Sequence, residues 1–327
     1  MFQSEKSKFL KNGMYLVYLD QCVLSRFLEK AENQPWRELR ELVLIGNSKR
    51  RILCPTSLEH LIETSSLPKS EAVFLDELIE KLSFGWALSD EATLVAQQII
   101  SKLRNRPISR AHFLEVRPFR RITYTGTIEK LRELKASLDQ NNAWKMQAVN
   151  DLNALIRNGR KPGVEMLHCL IKMRTDQRVR MLLSEVLNLQ KAGRVVLRAE
   201  NYNENAFSWT SKVVYELVTK HRLVFDEVEK LYQILMSSGL EFLPTLRIKA
   251  ELEAIHFFLR KKITPGDQYD ITRAACALPY ADVFVTDGAN ANAIRELGMD
   301  IAYKVEVFSM KMSDLGSLVA RLGRIVL

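Results

Sequence analysis

Apolar and polar positions follow two rhythms along the chain, and the rhythm changes twice. Near the start, MYLVYL (14–19) is a short apolar run rich in β-forming residues. It is too short for a buried helix and predicts a buried strand. Residues 21–30 and 35–44 repeat apolar side chains every three or four positions and predict amphipathic helices. RILC (51–54) predicts a second short strand, stopped by Pro55, and residues 56–63 begin another helix. From 71 to 245 the helical period dominates, with helices expected at 71–82, 90–103, 127–137, 144–156, 164–192, 211–220 and 225–237. Only 121–124 and 194–197 are weak strand candidates there. Pro and Gly punctuate this stretch at Pro107, Pro118, Pro162-Gly163 and Pro244. After residue 246 strands return: a helix at 246–261, a turn at 263–266, a short helix at 270–277, and a strand at 283–286. A helix at 289–297, a strand at 300–304 and a closing helix at 313–323 complete the chain.

Strands that alternate with helices imply parallel pairing, hence an α/β fold. The simplest architecture is one parallel-sheet domain, sandwiched by helices and built from residues 1–70 and 246–327. Residues 71–245 then form a large, mostly α-helical insertion. No internal repeat and no low-complexity tract interrupts this plan.

Composition narrows the class. The 327 residues are 47% hydrophobic, enough to bury a core, which excludes a disordered chain. Four cysteines, with no CxxC pair, exclude a disulfide-stapled mini-protein and point to a reduced, cytoplasmic protein. The N-terminal segment has lysines but no apolar stretch typical of a secretory signal. No apolar run approaches the ~20 residues that span a bilayer, so no membrane role is expected. None of the five histidines forms an HxxxH pair, which argues against zinc. The net charge of +9 is uneven: the central insertion carries +5 and the C-terminal part +1. Between 102 and 121 lie seven basic residues against Glu115 alone. That bias fits a polyanion partner.

The acids fall in informative places. Asp20 directly follows the first strand, Glu59 lies one turn into the helix after RILC, and Asp287 follows the strand VFVT. Asp270 opens the helix before that strand, and Asp282 sits at the strand's start. In an open parallel sheet, ligands bind at the carboxyl ends of strands near a topological switch point. Asp20, Glu59 and Asp287 map to that edge. Carboxylates gathered there repel unless a cation neutralises them, and an oxygen-only set suits Mg²⁺ or Mn²⁺. Such a centre suits metal-assisted attack of water on a phosphodiester. Each acid also reads singly as a helix cap: Asp20 before residue 21, Glu59 within the box TSLE, and Asp270 and Asp287 at their own helices. Capping alone does not explain why acids, rather than Ser or Thr, recur at one edge.

These elements resemble the PIN-domain nucleases over about residues 12–70 and 250–327. The resemblance rests on YLVYLD, ending in Asp20, on CPTSLEHLIE, with Glu59 in the acidic position and Glu63 as an alternative, and on GDQYDITRAACALPYADVFVTD. The last block resembles the family's Asp-led helix followed by a strand ending in Thr-Asp. It implies Asp270 as the third carboxylate and Asp287 as the fourth, with Asp267 and Asp282 as auxiliary candidates. Where many members carry the last Asp two residues after the Thr, this chain has Gly288. The resemblance implies a ribonuclease in which Asp20 and Asp270 hold Mg²⁺ or Mn²⁺ while Glu59 and Asp287 complete the site. Thr286 would supply a supporting hydroxyl. The alternatives are a DNA nuclease and a catalytically degenerate module that binds nucleic acid or protein.

Arg104, Arg106, Arg110, Arg117, Arg120 and Arg121 could track a phosphate backbone, with Phe113, Phe119 and Tyr124 for base stacking. A solvated loop explains them equally well. Arg174, Arg178 and Arg180 share no helical stripe and read as solvated surface. The helical insertion also offers a surface for a second copy or a protein partner.

Overall fold

The computed structural model describes residues 13–29, 34–108, 113–116, 127–157, 164–193, 208–259 and 264–327. Strand β1 (Tyr15–Leu19) is followed by α1 (Gln21–Glu29), α2 (Gln34–Ser48), β2 (Ile52–Leu53), α3 (Leu58–Ser65) and α4 (Lys69–Ser83). Then come β3 (Trp86–Leu88), α5 (Glu91–Leu103), β4 (Leu114–Val116), α6 (Thr127–Arg157) and α7 (Val164–Ala192). Helix α8 (Trp209–Tyr215) runs into a π-helical turn (Glu216–Lys220), followed by α9 (Phe225–Ser238) and α10 (Pro244–Leu259). The chain ends with α11 (Pro265–Ala277), β5 (Val283–Thr286), α12 (Gly288–Glu296), α13 (Met299–Tyr303), β6 (Glu306–Ser309) and α14 (Met312–Val326).

The main sheet has the order β2-β1-β5-β6 and every pair is parallel. Its alternating side chains feed two cores. Leu16, Tyr18, Phe284 and Val307 face one way, onto α10, α11 and α12. Val17, Leu19, Val283 and Val285 face the other way, onto α1, α2, α4 and α14. The fold is therefore α/β, a small parallel sheet between helical layers in a mostly helical chain. No described helix is long and apolar enough to cross a membrane.

The central segment does not begin and end where the periodicity places it. Helix α4 straddles the expected boundary at 70, and its Leu75, Leu78, Ile79 and Leu82 belong to the sheet's second face. Helix α10 straddles the boundary at 245. Its Leu246 packs in the helical core with α5, α7, α8 and α9, whereas Ile248, Leu252 and Ile255 pack under the sheet. One helix thus serves both cores. A buried ionic set reinforces the junction: Lys249 of α10 pairs with Glu91 of α5, and Arg178 of α7 pairs with Glu253 of α10 at 2.6 Å. Arg178 is therefore buried and paired, not solvated surface.

Other local expectations also shift. Residues 299–303 form a helical turn, and the last strand lies at 306–309 instead of 300–304. The helices expected at 127–137 and 144–156 are one continuous helix, α6. An antiparallel pair, β3 with β4, occurs where no strands were expected. The strand candidates at 121–124 and 194–197 lie outside the described residues.

Helices α2 and α14 meet closely because Gly46 lacks a side chain. A Cβ there would lie 2.6 Å from Ile52 Cδ1 and 2.7 Å from Val326 Cγ2. Gly46→Val is expected to destabilise the fold by about 2 kcal/mol through overpacking, measured by denaturant unfolding against wild type.

Candidate active site

The strand order places a switch point between β1 and β5. The chain leaves β1 toward β2, later returns on the other side of β1 as β5, and continues to β6. Helix α1, after β1, covers one face of the sheet, and α12, after β5, covers the other. The space between them, at the carboxyl ends of both strands, is where open parallel sheets form a ligand crevice.

Asp20 stands at the floor of that crevice, on the first residue after β1, with its side chain buried. The backbone register sets it beside Thr286, the last residue of β5: Asp20 N–H donates to Val285 O at 2.9 Å. The Thr286 hydroxyl donates to Asp20 Oδ2 at 2.8 Å and accepts from Asn290 Nδ2 at 3.2 Å. Asp20 Oδ1 accepts from Gln21 N–H, at the start of α1, at 2.8 Å and from Arg273 Nη1 at 2.5 Å.

Arg273 organises the rest. It projects from α11, its side chain is 2% exposed, and it reaches three carboxylates on different elements. Nη1 lies 2.5 Å from Asp20 and 3.4 Å from Asp270, and Nη2 lies 2.6 Å from Glu63. Among the described residues its Nε finds no hydrogen-bond partner. A buried arginine needs acids around it, since an unpaired charge out of water is strongly unfavourable.

The electrostatics follow from burial and charge. Burial pushes the Asp20 carboxyl up, but Arg273, His60 and the Thr286 hydroxyl more than offset it and hold Asp20 below the usual range. Asp270 goes the other way. Burial first, then the charges of Asp20, Asp287 and Glu63, raise it to about 8 despite Arg273. Glu63 is also raised, by burial and by Asp20 and Glu59. One guanidinium is therefore too little for all of these carboxylates to stay ionised together.

The expected residues do not all meet there. Asp20 and Asp270 do. Asp287 caps α12, accepting from Ala289 and Asn290 N–H at 2.7 and 3.2 Å, and its charge acts on Asp270 and on Cys22. Glu59 does not touch Arg273; Glu63, one turn further along α3, does. Glu59 instead lines a neighbouring cavity of about 310 Å³, with Glu91, Glu115 and Arg273 on its walls. Asp282 is corrected outright. It accepts the Leu16 N–H at 2.8 Å, at the amino end of β1. Leu16 is four residues from Asp20, which at roughly 3.3 Å per residue is about 13 Å from the crevice. Asp267 caps α11 by a box with Thr264. His60 is buried at the start of α3, within its capping box and stacked on Tyr18 at 5.3 Å.

The basic residues separate as well. Arg104 pairs with Glu227 at 2.7 Å and donates to His221 O, a structural tie between α5 and α9. Arg106 is exposed. Arg110, Arg117, Arg120 and Arg121, with Phe119 and Tyr124, lie outside the described residues. Phe113 is no stacking platform; it is fully buried against Tyr280 at 4.3 Å.

Two features escaped the sequence reading. Helix α6 closes one side of the crevice: Leu131 packs on Leu61 and Ile62, Arg132 donates to Ser65 O at 2.6 Å, and Asp139 accepts from Tyr269 at 3.0 Å. Nothing in the spacing announces that contact. Arg273 did leave a signal. It is the lone cation in ITRAACAL, an otherwise apolar helical face, and such a residue must be paired.

No family model matches the chain, and no curated protein or solved structure matches it either.

Among the described residues, no three acids, histidines or cysteines stand close enough, as placed, to hold a metal ion. The donor chemistry nevertheless fits a hard divalent cation. The converging groups are oxygens only, and one guanidinium is not enough to keep all of these carboxylates ionised together.

The raised Asp270 has a stability consequence. Its folded value near 8 lies above the unfolded value near 4, so it destabilises the native state progressively as pH rises from 4 through 8. Asp270→Asn is therefore expected to unfold at higher denaturant than wild type at pH 8.5, by up to about 5 kcal/mol, and to match it near pH 4. Urea melts of both chains in chelator at the two pH values check this.

Proposed function

We propose that this chain is a divalent-cation-dependent nuclease that hydrolyses phosphodiester bonds, with RNA as its substrate, on a PIN-like sheet. The observation that carries the reading is the gathering of Asp20, Glu63 and Asp270 around Arg273, with the charge of Asp287 felt by Asp270, at the switch point of a parallel sheet. The proposed donors are Asp20, Asp270 and Asp287 with Glu63 in the place first given to Glu59. When bound, Mg²⁺ or Mn²⁺ would activate water and offset charge on the departing oxygen. The chain's own residues do the rest. Thr286 and Gln21 N–H fix the orientation of Asp20. Asn290 in turn fixes Thr286. Helix α6 walls the crevice on the α3 side. RNA over DNA follows from the family resemblance, and a cytoplasmic setting from four cysteines without a disulfide.

One observation favours a second reading. Arg273 already satisfies Asp20 and Glu63, as in a chain that has given up catalysis and binds nucleic acid or a protein partner through its helical segment. Labelled single-stranded RNA and DNA, incubated with Mn²⁺, Mg²⁺ or chelator, separate the readings. The nuclease reading expects metal-dependent cleavage that Asp20→Asn or Asp270→Asn lowers by about 100-fold or more. Cleavage that survives both substitutions removes it, and binding without cleavage establishes the degenerate module. Glu63→Gln is expected to cost more activity than Glu59→Gln. Asp282→Asn is expected to leave cleavage within about threefold of wild type, because its carboxylate serves the opposite end of the sheet.

A further inference from the structure

We infer that the cavity beside the crevice, lined by α3, the β3–β4 pair, the start of α5 and α11, is a binding site for a small organic ammonium ion that also carries a carbonyl oxygen. This site is separate from the proposed cleavage and does not depend on it.

The cavity has a volume of about 310 Å³. That is far more than the ~15 Å³ that holds one water, and it reaches the range of pockets that take small organic ligands. Leu58, Leu61, Ala87 and Leu88 give it apolar walls, and Leu58 is 40% exposed, so the cavity reaches the surface along α3. Acids from three elements line the rest: Glu59 of α3, Asp90 and Glu91 at the start of α5, and Glu115 of β4. Among the described residues Arg273 is the one cation on its walls, and its charge is already shared by Asp20, Glu63 and Asp270. Lys220, which is not on the walls, feels Asp90 and Glu115 and offsets part of their charge. Glu59 and the open side of Glu91 are what a ligand would meet. Apolar walls with acids among them suit an organic cation over an anion.

Two buried atoms on these walls lack a partner among the described residues, one of each polarity. Glu91 gives Oε2 to Lys249, while its Oε1 accepts no hydrogen bond. Burial pushes the Glu91 carboxyl up, but Lys249 and Arg178 more than offset it and hold it below the usual range. A bare oxygen on an ionised carboxylate requires a donor. Arg273 is 2% exposed. Its Nη atoms meet the crevice acids, whereas its Nε–H finds no acceptor. A ligand that satisfies both atoms carries a donor head and an oxygen, and the acids make a cationic donor the favoured one. An α-amino amide has this pattern. Its ammonium answers Glu91 and Glu59, its carbonyl oxygen answers Arg273 Nε, and an aliphatic body packs on the leucines. A free carboxylate in place of the carbonyl would add negative charge to walls that are already acidic, so the neutral oxygen is favoured.

The test titrates leucinamide into the full chain in chelator near neutral pH, read by calorimetry and by ligand-detected magnetic resonance. Wild type is expected to bind one molecule with a dissociation constant of about 1 mM or tighter. N-acetyl-leucinamide, which lacks the ammonium, is expected to bind about tenfold more weakly or worse. 3-Methylbutylamine, which lacks the carboxamide, is expected to lose about threefold or more. Glu59→Gln and Glu91→Gln are each expected to weaken leucinamide about fivefold or more. Glu59→Lys, which brings an ammonium of its own, is expected to abolish binding. If circular dichroism shows Glu91→Gln unfolded, the two Glu59 variants carry the requirement, since Glu59 is half-exposed at the start of α3. No binding to wild type at about ten times the expected constant overturns the inference. Equal affinity for the acetylated probe, or wild-type affinity in Glu59→Lys, overturns it as well. So does loss of leucinamide on Glu63→Gln without loss on Glu59→Gln, which would seat the amine in the crevice.

Discussion

The pairing of β1 with β5 is the constraint on which the rest depends. It joins segments 266 residues apart, as the bond from Leu16 N–H to the Asp282 carboxylate illustrates. The entropy of closing so long a loop grows only logarithmically with its length. The two strands recover it by burial, since Val17, Tyr18, Leu19, Val283, Phe284 and Val285 are all essentially inaccessible. The register has chemical consequences at both ends. At the amino end it gives Asp282 a structural task. At the carboxyl end it sets Asp20 against Thr286, and a slip of one residue would turn both side chains to the other face. Because β1 is central, its neighbours diverge, and the helices that follow β1 and β5 leave the sheet on opposite faces. The crevice is the space between them.

Bringing acids to that crevice creates an electrostatic problem, and α11 supplies a partial answer. Asp270 and Arg273 sit three residues apart on one helical face, so the helix that adds a carboxylate also adds a cation. The compensation is uneven. The buried Asp20 is held ionised by its neighbours, whereas Asp270 is driven toward its neutral form. A fold selected for stability alone would replace such a set by apolar side chains, which is often neutral or favourable.

Much of this was legible in the sequence because strong patterns carry it. The apolar run ending in Asp20, the strand VFVT, the long helix at 164–192 and the closing helix are unambiguous in period and length. The misreadings have physical reasons. DIAYK alternates like a strand, yet it is a single helical turn between Gly298 and Lys304, both in left-handed conformation. Strands β3 and β4 have three residues each, too few to show a period. The helices expected at 127–137 and 144–156 are continuous across Asn141-Asn142, a pair of low helix propensity. Glu59 and Glu63 lie four apart on one face of α3, so spacing alone cannot rank them. Only the placement of α3 against α11 decides that Glu63 meets Arg273.

The same placement argues against treating the central segment as a detachable insertion. Helix α10 packs along α7 at one end and beside α11 at the other, and its residues belong to both cores. Its buried ion pairs with α5 and α7 are bonds that a simple domain boundary would not contain. Helix α11 carries Asp270 and Arg273, so the helical segment and the crevice share a rigid neighbour. Densely packed helices shift as units and do not deform locally. Cutting the chain at 70 and 245 would divide two helices and both shared cores, and would leave neither piece with the surfaces it buries.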